Sequence, residues 1–200
     1  MSDAAPGNDR MVTATVTYLA MEAKPGGNPP PRPFLKKVAI LQAETPAVHF
    51  YRYLYDAIGR DYLWVERRGM SDDDLRKVLE SENFALYVLY IAGVPAGMAE
   101  LDFPEDGVGQ IAYFGLMPEF IGRRIGPWFL HQAIELAWTA PIARLRVNTC
   151  TLDHKKALPI YQRAGFVPYA RGEKTIRVPP ELAEFVPHAT RPSTPAPPIP

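Results

Sequence analysis

The sequence predicts an α/β (α+β) domain with a mixed, mostly antiparallel central sheet and helices on both faces. Three observations predict it. Period-two apolar runs recur in the middle of the chain, strand and helix patterns alternate after them, and proline clusters towards the margins. Five of the 22 prolines lie in Pro25–Pro33 and eight in Pro179–Pro200, which leaves the intervening sequence free to fold.

The elements follow in chain order. Residues 1–10 read as a flexible N-terminus, residues 11–178 as the folded domain, and residues 179–200 as a proline-rich disordered tail with little to bury. Met11–Met21 is rich in β-branched residues and sets Val12, Ala14, Val16 and Tyr18 on one face of a strand. Residues 25–33 form a loop, because consecutive prolines lack donors and favour polyproline II. Val38–Glu44 is a second strand, and His49–Ile58 carries Phe50, Tyr53/Leu54 and Ala57/Ile58 at helical spacing. Ser71, the acids Asp72–Asp74 and the stripe Leu75, Val78, Leu79 mark a helix start. Phe84–Ile91, Ala96–Phe103 and Gln110–Met117 read as three strands separated by turns at Ala92–Gly93 and Pro104–Gly109, an antiparallel meander. Helix Ile125–Trp138, strand Ala143–Thr149, helix Asp153–Ala164 and strand Phe166–Tyr169 complete the domain. Thr151 or Asp153 can cap the last helix, and Pro159 requires it to start late or kink.

Composition bounds the function. Two hundred residues, 47% apolar, suit one domain with a sizeable core. Lys+Arg and Asp+Glu both number 22, so no net charge favours nucleic acid or an anionic membrane as a partner. The single cysteine, Cys150, excludes an internal disulfide, and the start MSDAAPGNDR lacks a signal layout; both suggest a soluble, cytoplasmic protein. His49, His131, His154 and His188 show no ligand spacing, so no metal is expected.

Two segments carry chemistry. In PEFIGRRIGPWF (Pro118–Phe129), Gly122 and Gly126 bracket Arg123 and Arg124 between a strand and a helix, with Pro127 in the helix's first turn. Free backbone N–H groups at the positive end of a helix dipole suit an anion, and the arginines suit phosphates; an ordinary strand–helix turn with solvated arginines is the alternative. In the second segment, strand Ala143–Thr149 ends at Asn148, and the helix that follows carries Tyr161 beside the apolar residues Ala157, Ile160 and Ala164.

Together, the loop, the strand ending in Asn148 and the A-L-x-x-Y-x-x-x-G-F run closing at Phe166 resemble the GNAT N-acetyltransferase superfamily, over roughly Phe84–Tyr169. The resemblance implies a GNAT-like sheet and acetyl-CoA as cosubstrate. The family's loop pattern falls on Ile121–Gly126, with Ile121 where Arg or Gln is common and Arg124 where glycine is usual. By the same resemblance, the backbone of Phe114, Gly115 and Leu116 holds the thioester, and Gly122, Arg123, Arg124, Ile125, Gly126 and Pro127 hold the pyrophosphate. Asn148 contacts the pantetheine arm, and Tyr161 protonates the departing sulfur. Gln110 stands where some relatives carry a glutamate base, which leaves Glu100 or a water relay to take the amine proton, although Glu100 and Asp102 equally suit a solvent face. Phe50–Tyr55 and Tyr62–Arg68 are expected to wall the acceptor, with Tyr51, Tyr53, Tyr55, Tyr62 and Trp64 as candidate liners.

The expected activity is therefore direct transfer of an acetyl group to a primary amine of a small molecule or protein, with Cys150 not required. A homodimer is left open. The competing class is a non-catalytic acyl-CoA sensor or interaction module, and a phosphate-ester hydrolase lacks any supporting triad or metal set.

Overall fold

A computed structural model describes residues 10–35 and 37–186. One seven-stranded sheet runs in the order β2-β3-β4-β5-β6-β1-β7. Its strands are β1 (Arg10–Met21), β2 (Val38–Ala43), β3 (Phe84–Ile91), β4 (Val94–Glu105), β5 (Val108–Leu116), β6 (Arg144–Cys150) and β7 (Val167–Val178). All neighbours are antiparallel except β5 and β6. The β3–β4 hairpin closes on Ala92–Gly93, both at positive φ (53° and 90°), the twist a two-residue hairpin turn needs.

Helices α1 (Val48–Gly59) and α2 (Asp72–Leu79) cover one face, and α3 (Gly126–Ala137) and α4 (Ala157–Arg163) the other. Successive β4 residues divide accordingly. Met98 packs with Tyr51, Leu54 and Leu75 from the first pair of helices, whereas Ala99 packs with Phe129 and Ala133 of α3. The Ser71 hydroxyl caps α2 by accepting from the Asp74 amide at 3.1 Å.

Four expectations are corrected. Arg10 opens β1 and so belongs to the folded chain; residues 1–9 lie outside the described residues. The buried β1 face covers Val12, Ala14 and Val16 but does not extend to Tyr18, which is 38% exposed where β7 inserts the extra residue Tyr169 opposite Tyr18 and Leu19. β7 runs on past Tyr169 to Val178, because backbone pairing with β1 sustains the polar edge segment ARGEKT without an apolar face. The chain beyond Val178 is not featureless: Pro180–Phe185 forms a 3-10 turn that buries Leu182, with Val186, against Val12, Leu63 and Ile176. Residues 187–200 of the expected tail lie outside the described residues.

Helix α4 does start late, at Ala157, which places Pro159 in its first turn where the ring meets no carbonyl. Asp153 caps no helix; it closes the preceding turn by accepting from the Thr149 hydroxyl at 2.7 Å and the Cys150 amide at 2.8 Å.

The feature that positions the site is the β5–β6 seam. These parallel strands pair only over Val108–Ile111 with Arg144–Val147, and beyond Val147 β6 stays paired with β1 alone. The sheet therefore opens between Ala112–Leu116 and Asn148–Cys150.

Candidate functional site

A cavity of about 570 Å³ occupies this opening. Phe114, Gly115 and Leu116 line it from β5, and Asn148 from β6. No strand pairs with the β6-facing edge of Ala112–Leu116, so backbone groups there are free to meet a ligand. A close approach shapes the strand on its helix side. A Cβ on Gly115 would stand 2.4 Å from Ile58 Cγ2, so only glycine lets α1 seat here.

The loop before α3 forms one end of the cavity, lined by Gly122, Arg124, Ile125, Gly126 and Pro127. Among the described residues, no backbone carbonyl receives the amides of Gly122–Gly126, and these lead into the N-terminus of α3. Gly122 has φ 84° and Arg124 φ 60°. The glycine usual at position 124 thus answers to a left-handed backbone, which arginine adopts under strain. Arg123 does not line the cavity; its guanidinium lies 5.2 Å above the Phe120 ring. Arg163 and Lys156 add positive charge to the wall.

Tyr161 projects from α4 into the cavity wall at 7% exposure, edge-on to Phe166. Burial, reinforced by the Asp153 carboxylate, pushes its phenol well above the ordinary tyrosine range, so it holds its proton. Cys150 also lines the cavity, and burial together with Asp153 pushes its thiol up to about 11. It is a thiol, not a thiolate, at neutral pH.

Glu100, expected to take the amine proton, and Gln110, at the position where some relatives carry a base, stand elsewhere. Glu100 is 0% exposed and outside the cavity wall; Tyr51 donates its hydroxyl to one carboxylate oxygen and Arg67 lies 2.6 Å from the other. Burial pushes its carboxyl above the ordinary range, with Arg67 and Tyr51 opposing. Glu100 is no solvent face, and it is no free base. Gln110 lies below the opening, paired with Asp102 and Arg146, and a register shift leaves the extra residue Ala112 between it and Tyr113.

The carboxylates that do line the cavity are Glu66 and Asp153. Glu66 binds the Lys174 ammonium and accepts from the Tyr113 hydroxyl at 3.4 Å. Burial opposes its ionisation, but these two donors hold its carboxyl below the ordinary range. Of the aromatic residues singled out for the acceptor, Tyr62 and Trp64 line the cavity. Tyr51 and Tyr55 are core residues, and Tyr53 is 52% exposed away from it. Glu66 sits inside the segment Tyr62–Arg68 that the sequence singles out, whereas Lys174 lies on a strand stretch with no sequence signal. Among the described residues, no group of three or more His, Cys, Asp or Glu is placed to hold a metal, and no helix is long and apolar enough to cross a membrane.

A sequence model described as the Acetyltransferase (GNAT) family matches residues 51–166, more than half of the chain. The chain belongs to the GNAT acetyltransferase family.

Solved structures share the GNAT fold at low identity. A GCN5-related N-acetyltransferase from Sphaerobacter thermophilus is 19% identical with a TM-score of 0.57, over 84% of this chain and 53% of that one. A second, from Kribbella flavida, is 17% identical with a TM-score of 0.54, over 84% and 60%. A conserved protein of unknown function from Staphylococcus epidermidis is 17% identical with a TM-score of 0.57, over 82% and 61%. The chain thus spans between 53% and 61% of the length of these structures. No curated protein matches.

The family match ends at Phe166 and includes the loop, Asn148 and Tyr161. It excludes β1 and β7, which nevertheless supply Ala14, Val16, Lys174 and Ile176 to the cavity. Part of this cavity is therefore built from sequence outside the family match.

Proposed function

We propose that the chain is an acetyl-CoA-dependent N-acetyltransferase that moves the acetyl group directly to a primary amine of a small molecule or protein. One observation carries the reading. The unpaired edge of β5 at Phe114–Leu116 connects the free amides of Gly122–Gly126 with the protonated phenol of Tyr161 in a single cavity. GNAT enzymes draw the acyl group from acetyl-CoA, whose thioester supplies an activated carbonyl. The residues present fit it: amides, Arg124, Lys156 and Arg163 suit phosphates, and the β5 edge and Asn148 suit an amide-bearing arm.

In this reading, backbone groups of Phe114–Leu116 orient and polarise the carbonyl. The neutral amine nitrogen attacks the acetyl carbon; a C–N bond forms, the C–S bond breaks and Tyr161 gives its proton to the sulfur. The proton lost by the amine restores the phenol through water, leaving an amide and a free thiol. Cys150 forms no acyl intermediate, because its thiol keeps its proton. A lone thiol fits a reducing compartment, the cytoplasm.

The test pairs binding with turnover. Acetyl-CoA at a hundredfold excess over its Kd is expected to add about 2.7 kcal/mol of stability, seen as a rise in Tm. Tyr161→Phe is expected to lower kcat about 10²- to 10⁴-fold while leaving acetyl-CoA affinity nearly unchanged. Absence of stabilisation at millimolar acetyl-CoA overturns the reading. Binding without thiol release from any amine indicates a non-catalytic acyl-CoA sensor instead.

A further inference from the structure

The acceptor end of the cavity has a definite chemistry. Trp64 and Tyr113 stand with ring centroids 4.9 Å apart, and Tyr62 joins them on the cavity wall. The Trp64 ring reaches β5 itself: its Cη2 lies 3.6 Å from where a Cβ on Gly115 would be. That places the aromatic group beside the backbone proposed to hold the thioester. Ala14 and Val16 of β1 and Ile176 of β7 supply apolar surface to the same cavity.

Into this setting project two carboxylates. Asp153 is committed to the Thr149 hydroxyl and the Cys150 amide. Glu66 shares its charge with Lys174, its own backbone amide hydrogen-bonds the carboxylate, and its second oxygen accepts a long 3.4 Å bond from Tyr113. A flexible lysine side chain, half exposed, yields readily to another cation.

We infer that this aromatic, single-carboxylate pocket takes an arylalkylamine: a flat aromatic body on a short alkyl chain, its ammonium received by Glu66 and losing one proton to cavity water before the neutral nitrogen attacks. The inference rests on the acetyltransferase reading and specifies its acceptor. The Glu66 carboxylate attracts an ammonium, and the aromatic and aliphatic walls favour a flat apolar body. A polyamine or an aminosugar carries several cations and hydroxyls, which a pocket offering one available carboxylate would strip of water without partners. Glu66 is here a binding and positioning residue, since its paired carboxylate is too weak a base to carry the proton itself.

The experiment has two stages. Acetyl-CoA binding is measured first by thermal shift, and its failure would sink the acetyltransferase reading whatever the acceptor. Thiol release is then followed with tyramine, tryptamine, spermidine and kanamycin. Tyramine or tryptamine is expected to exceed spermidine and kanamycin in kcat/KM by at least about tenfold, the factor one charge-assisted hydrogen bond supplies. Glu66→Gln is expected to raise KM for tyramine about 10- to 100-fold with kcat and acetyl-CoA affinity little changed, and Glu66→Asp to recover part of it. On the wild-type protein with CoA bound, tyramine should raise Tm and spermidine should not, a readout independent of any variant's folding. Preference for spermidine or kanamycin, no turnover of either arylalkylamine despite acetyl-CoA binding, or an unchanged tyramine KM in Glu66→Gln overturns the inference.

Discussion

Position 124 shows how a backbone angle constrains a side chain. At φ 60° arginine carries a left-handed cost that glycine does not. Arg124→Gly is therefore expected to stabilise the protein by about 1 kcal/mol, a rise in Tm of roughly 2–4 °C by calorimetry for a chain of this size. Cys150 tests the electrostatics of the cavity. With its thiol pushed up to about 11, alkylation by iodoacetamide should be slow at pH 8 and rise about tenfold per pH unit towards that value, as read by mass spectrometry. Glu66 gives a stability signature of known sign. Its carboxyl is held below the ordinary glutamate value of 4.5, so its pairing contributes above that value and is lost as pH falls through the lower, folded value. Wild-type Tm should thus fall more steeply than that of Glu66→Gln below pH 4.5, with a small difference because the pair is partly solvated.

The elements that build the cavity are held by close packing. Gly115 lets α1 lie against β5, and a methyl group there would stand 2.4 Å from Ile58 Cγ2. Gly115→Ala is expected to cost about 1–3 kcal/mol, measured by urea denaturation, and to weaken acceptor turnover by shifting α1 and Trp64. Elements with their own periodicity were legible in the sequence: β3, the helix α2 with its Ser71 cap, and the late start of α4 all stand where the residues predict. Those without it were not. The middle of β7, residues 170–175, presents no apolar face, so only its pairing with β1 makes it a strand. The extra residue Tyr169 opposite Tyr18 is likewise invisible locally, because it answers to the pairing of β7 with β1.

At the scale of the molecule, the sheet consists of two sections joined by four residue pairs between β5 and β6. The first strand of the chain lies in the C-terminal section, between β6 and β7, while the second lies at the opposite edge. The 3-10 turn at Pro180–Phe185 closes this section by seating Leu182, 2% exposed, against Leu63 and Val12. Leu182→Ala is expected to cost about 2–5 kcal/mol and lower Tm accordingly, since Leu182 seats this turn against the acceptor wall through Leu63.

The sequence by itself determined the GNAT fold, the glycine-containing loop before α3 and the strand–helix unit bearing Asn148 and Tyr161, because each is written in contiguous residues. Only the tertiary structure decided which carboxylate meets the cavity. Glu100 is paired with Tyr113 of the proposed thioester strand, yet Tyr51 and Arg67 close over it, and Gln110 lies on that strand but in the stretch still paired with β6, below the opening. Glu66 and Lys174 are 108 residues apart and join at the cavity because β7 returns beside β1. Side-chain direction and long-range pairing are properties of the assembled sheet, and no local pattern encodes them.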